Sequence, residues 1–75
     1  MNKQRRKEIA KAIDLIEQAR EILEAVLDEE QEAFDNMPES LQSSERGETM
    51  EEYISTIEDF LDYLETDSLQ EIVDA

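Results

Sequence analysis

With 75 residues, 22 acidic and 7 basic side chains and a formal charge of −15, the chain holds one domain at most. It has no Cys, His or Trp, which excludes disulfides and thiolate metal sites and the Cys/His routes to an activated nucleophile. Its negative charge disfavours nucleic acid and anionic membranes as direct partners and favours a basic protein surface.

Residues 1–20 carry Lys3, Arg5, Arg6, Lys7, Lys11 and Arg20 against Glu8, Asp14 and Glu17, so this stretch is basic. Every charged side chain after it is acidic apart from Arg46. No stretch approaches the roughly 20 apolar residues of a membrane span. The basic N-terminus leads into an amphipathic pattern and not an apolar secretion signal. These features read as a cytoplasmic protein with no membrane partner.

The first element in chain order is a helix over about 3–34. Ile9, Ile13, Ile16, Leu23, Leu27 and Phe34 recur at helical spacing, and Ala12, Ala19, Ile22, Val26 and Ala33 widen the stripe. Gly and Pro are absent and strong helix formers dominate. The apolar face is broader than a two-position coiled-coil seam and needs more than one partner helix.

A connection follows over 35–48, holding the only Pro (Pro38) and the only Gly (Gly47). Pro38 disfavours helix at Met37 and suits the start of a short helical turn from Pro38 to Leu41. Met37 and Leu41 are the residues that would pin it to the core. Helix 2 is expected over about 49–65, opened by a Thr49/Glu52 capping box. Ser44 is the alternative start, with Gly47 carried inside. Met50, Ile54, Ile57, Leu61 and Leu64 form its apolar stripe, with Tyr53, Phe60 and Tyr63 beside it. Helix 2 either continues to 74 or breaks at Thr66, where Ser68 and Glu71 have capping-box spacing for a short third helix.

Two long helices and a connection of this length predict an all-α fold: an antiparallel helical hairpin that dimerises into a bundle. In that fold Arg5, Arg6 and Lys7 would neighbour Asp67, Glu71 and Asp74.

The chemistry-bearing motifs are missing. No glycine-rich phosphate loop, Glu-x-x-His di-iron motif or calcium loop is present, and two helices enclose too little volume to tune a carboxylate pair. The chain is therefore read as non-enzymatic and without a cofactor. Asp67-Ser68-Leu69 resembles the phosphopantetheine site of acyl carrier proteins. That family continues well beyond the motif, whereas six residues follow Leu69 here, so Ser68 is read as a helix cap.

The connection Asp35-Asn36-Met37-Pro38-Glu39-Ser40-Leu41-Gln42-Ser43-Ser44-Glu45-Arg46-Gly47-Glu48, with the acidic run Asp28-Glu29-Glu30-Gln31-Glu32 before it, resembles small acidic helical proteins encoded by phages and prophages. Those proteins place a helix on each side of an Asn-x-Pro-Glu-x-Leu-Gln-x-Ser-Glu-Arg connection. The resemblance implies a phage protein acting on a host or defence machine.

Two functions are expected from different classes. In the first, acids at helical spacing imitate the regular phosphates of duplex DNA and occupy the basic groove of a host or defence protein. Glu51, Glu52, Glu58, Asp59, Asp62 and Glu65 form that array on helix 2, matched on helix 1 by Glu21, Glu24, Asp28, Glu29, Glu30 and Glu32. In the second, an adaptor self-associates or docks by its apolar faces, with Tyr53 or Tyr63 as anchors. Arg46 is a specific contact residue in one reading and a bridge to Glu45 and Glu48 in the other.

Overall fold

Asn2 sets the start of the first helix. Its side-chain oxygen accepts the Arg5 backbone N–H at 2.8 Å, satisfying one of the donors that every helix leaves free at its N-terminus. The computed structural model describes residues 1–75 and is all-α, with four helices and no strand: α1 Lys3–Asp35, α2 Glu39–Gln42, α3 Glu45–Tyr63 and α4 Asp67–Asp74. At 1.5 Å per residue the 33 residues of α1 reach about 50 Å, nearly the whole 58 Å length of the molecule.

α1 ends where Pro38 forbids its continuation. The Asn36 N–H closes the last turn on the Glu32 carbonyl, and Met37 N–H on that of Phe34. The Gln42 amide then donates to both the Phe34 carbonyl at 3.0 Å and the Met37 carbonyl at 3.1 Å. It thereby covers acceptors that the helix terminus leaves open.

The start of α3 corrects one expectation. Thr49 does not open the helix; it lies one turn inside, its hydroxyl donating to the Glu45 carbonyl at 2.9 Å. Ser44 is the cap. Its hydroxyl accepts from Gly47 N–H at 3.3 Å and donates to the Leu41 carbonyl. The Thr49/Glu52 spacing was overruled because α2 delivers Ser44 to the helix start five residues earlier. Gly47 is buried in the first turn, and a Cβ there would lie 2.2 Å from the Gln42 carbonyl oxygen and 2.5 Å from that of Leu41. Glycine is required for close approach of two backbones, not for an unusual φ.

The helix breaks after Tyr63, and α4 starts at Asp67. Ser68 is not its cap, another departure from the sequence reading. Glu65 does that work: its carboxylate accepts the Ser68 backbone N–H at 3.2 Å and the Ser68 hydroxyl at 2.6 Å. Three residues of reach suffice for a carboxylate to turn back on the first turn, and a negative group there is favoured by the helix dipole.

α3 and α4 both pack on α1. α3 runs in the opposite chain direction. Ala33 shares a cleft with Thr49 and Met50, Val26 shares a groove with Tyr53 and Ile57, and Arg20 Nη1 reaches the Leu64 carbonyl at 3.5 Å. Buried Thr66 donates its hydroxyl to Glu17 at 2.9 Å and fixes the α3–α4 corner against α1. The contact seam of α1 is Ile9, Ile13, Ile16, Arg20, Leu23, Leu27, Glu30 and Phe34; that of α3 is Gly47, Met50, Ile54, Ile57, Leu61 and Leu64. Steps of four and three alternate throughout both, the 3.5-residue repeat of supercoiled helices. The core is thin. Only Ile13 and Ile54 among its apolar side chains are buried, and no side chain is fully enclosed. A domain of this kind has little stability in reserve.

Candidate protein-binding surfaces

Each residue on a helix is turned about 100° from the one before it. The residue preceding a seam position therefore lies on one flank of the contact, and the residue following it lies on the other. Two antiparallel helices that face each other are related by a two-fold axis across the contact. The preceding flanks of both then share one side of the molecule, and the following flanks share the opposite side. Val26 and Tyr53, each one residue before a seam residue, line the same groove, as this geometry requires.

The two sides differ in chemistry. Following the seam of α1 come Ala10, Asp14, Glu17, Glu21, Glu24, Asp28, Gln31 and Asp35; following that of α3 come Glu48, Glu51, Ser55, Glu58, Asp62 and Glu65. All are exposed, and no cation lies among them. Preceding the seam of α1 come Glu8, Ala12, Leu15, Ala19, Ile22, Val26, Glu29 and Ala33. On α3 they are Arg46, Thr49, Tyr53, Thr56, Phe60 and Tyr63. This side is apolar and open to solvent: Ile22 is 66% exposed, Phe60 51% and Tyr63 82%.

The structure therefore divides the residues singled out in the sequence between two faces. Glu51, Glu58, Asp62 and Glu65 stand on the acidic side, and Glu52 and Asp59 lie one residue further round, exposed on the outer surface of α3. Tyr53, Tyr63 and Arg46 are on the apolar side. The seam therefore separates the two tyrosines from the acids of the same helix. Leu15 and the exposed half of the α1 stripe were missed as a surface in their own right. The signal was the second stripe offset by one residue from the first.

The electrostatics are those of unpaired charge. The one ion pair within 4 Å joins Arg20 to Glu24 at 3.7 Å, one turn apart. Arg46 is exposed and bridges neither Glu45 nor Glu48. It lines an open cleft of about 650 Å³ with Glu30, Ala33, Glu45, Thr49, Met50 and Tyr53. Although α4 packs on α1, Arg5, Arg6 and Lys7 make no ion pair with Asp67, Glu71 or Asp74, and the Arg6 Nε is buried with no acceptor. Among the carboxylates, Glu65 is held below its ordinary pKa. The Ser68 hydroxyl is the main cause, followed by the Ser68 backbone N–H and, more weakly, that of Asp67. No group of three or more acids is placed to hold a metal ion, and no helix is long and apolar enough to cross a membrane.

The arrangement is a long acidic side, a long apolar side, and one arginine at the loop end. Compared with known proteins, the chain matches no protein-family model, no curated protein and no solved structure.

Proposed function

We propose that the chain is a non-enzymatic, cytoplasmic inhibitor of the kind its connection resembles in phage proteins, a helical hairpin that self-associates. It presents an acidic helix surface to the basic nucleic-acid-binding groove of a host or defence protein. The observation that carries this reading is the acidic side, where carboxylates from α1 and α3 run along the rod from Asp14 onward, interrupted only by Gln31 and Ser55 and with no lysine or arginine among them. Two copies side by side carry a formal −30, twice −15, along 58 Å, one net charge per about 1.9 Å; duplex DNA carries one per about 1.7 Å. Such a density attracts a basic groove from a distance and speeds encounter at low salt.

A pull-down of the tagged protein from bacterial lysate tests it, run at low and high salt with and without competing duplex DNA and read by mass spectrometry. A basic nucleic-acid enzyme recovered at low salt, displaced by DNA and lost on reversing Glu58, Asp59 and Asp62 to lysine supports the reading. A partner kept at high salt and indifferent to DNA sinks it.

The second reading, an adaptor docked by apolar contacts, is favoured by the exposed Tyr53, Phe60 and Tyr63 on the opposite side. Under it, Tyr53→Ala or Tyr63→Ala releases the partner and the acidic substitutions do not.

A further inference from the structure

We infer that the open apolar side is a self-complementary seam on which a second copy of this chain lies antiparallel, α1 against α1, with the basic N-terminal segment of each copy over the acidic loop end of the other. This rests on the self-association proposed above and adds its surface, direction and register.

The preceding flank of α1 reads Glu8, Ala12, Leu15, Ala19, Ile22, Val26, Glu29 and Ala33, with the same alternation of four and three as the occupied seam. α1 therefore carries two heptad seams side by side. One is filled by α3 and α4; the other is left to solvent with Leu15 58% exposed and Val26 44%. A coiled-coil seam of this period is a surface for another helix.

The order of residues selects a second copy. Laid antiparallel on itself so that paired numbers sum to about 41, the seam sets Leu15 against Val26 and Ala19 against Ile22 of the second copy. A small residue thus faces a large one at the centre, which lets the helices approach to the roughly 8–10 Å of packed pairs. Tyr53 and Phe60, on the same side of α3, broaden the layer to two helices on two.

Area and charge select the direction. The apolar strip from Ala12 to Ala33 is about 32 Å long at 1.5 Å per residue. Across a 15 Å width it offers about 480 Å², short of the roughly 800 Å² per partner of a stable interface. The whole side, 58 by 15 Å, offers about 870 Å². The charged ends must therefore be covered too. In a parallel pair Glu29 would face Glu29, and the basic N-terminal segments would lie side by side. In the antiparallel pair Lys7 and Lys11, each one residue before a seam position, lie on the same edge as Glu32 of the second copy, and Arg5 lies over its loop end. Those cations make no ion pair within their own chain.

Light scattering and cysteine crosslinking test this together. The chain has no Cys, so an introduced thiol is the sole one. The wild-type protein is expected at twice 8.8 kDa. Leu15→Cys and Val26→Cys should form a mixed disulfide when combined and little disulfide when oxidised separately. I22D/V26D should run at monomer mass with its helical spectrum kept; if that variant unfolds, the crosslinks still decide. A wild-type monomer at about 100 µM overturns both self-association and the seam. A dimer in which Leu15→Cys couples to itself overturns the antiparallel seam and leaves self-association standing.

Discussion

Replacing Gly47 with alanine should destabilise the protein although it removes a glycine from a helix. Helix propensity alone favours alanine by about 1 kcal/mol. Against this, the new methyl would stand 2.2 Å from the Gln42 carbonyl oxygen and 2.5 Å from that of Leu41. Both are backbone atoms of α2 and its exit, so no side chain can swing away. Relief requires α2 to lift off α3. That displaces the Ser44 cap, worth about 1 kcal/mol, and the two Gln42 amide bonds to Phe34 and Met37, worth about 1 kcal/mol each. The net loss is about 2 kcal/mol. At 4–8 °C per kcal/mol for a domain of this size, the thermal midpoint falls by about 8–16 °C. Thermal melts followed by circular dichroism would measure it, at one fixed protein concentration because a self-associating chain melts higher when concentrated. Ser55→Ala, at an exposed position inside the same helix, is the control and should hold or raise the midpoint slightly. An alanine at 47 that leaves the midpoint unchanged or raises it would refute the close-approach argument and reduce Gly47 to an ordinary helical glycine.

Thr66→Val keeps the shape of the buried corner residue and deletes its 2.9 Å bond to Glu17. A hydrogen bond to a carboxylate at a part-buried site is worth about 1–2 kcal/mol, so the urea midpoint should fall with an unchanged slope; an unchanged midpoint would remove Thr66 from the contacts that hold α4. Ser68→Ala removes the donor that does most to lower the Glu65 pKa, so that pKa should rise toward the ordinary carboxylate value in a side-chain NMR titration. Because the folded pKa is depressed, the stabilising contribution is present above the unfolded pKa and lost as pH falls through the folded one, and the variant should lose less of its stability over that window. A Glu65 titration identical in both proteins would show that the Ser68 contacts are not made in solution.

Much of the connection became intelligible only once its atoms were placed. Pro38, Gln42, Ser44 and Gly47 have local structural work: ending α1, capping it, capping α3 and permitting close approach. Between Asn36 and Arg46, Glu39, Glu45 and Arg46 are the exposed charged residues left without such work, and Arg46, the one cation among them, is the contact candidate of that loop.

The amino-acid order by itself determined the helices and the sign of the surface. Period and propensity are local properties, and they placed apolar stripes on two long helical segments with one polar break around Pro38 and Gly47. Net charge is a matter of counting. Local spacing failed at the caps, because Thr49/Glu52 and Ser68/Glu71 satisfied a rule that the neighbouring Ser44 and Glu65 satisfied in better positions. Only the tertiary structure decided which apolar residues were used up. Ile13 and Ile22 look alike in a stripe, yet α3 and α4 cover the first and leave the second in water. That choice depends on the crossing of helices distant in sequence. It also sorts the acids from the tyrosines, because a flank exists only relative to a seam.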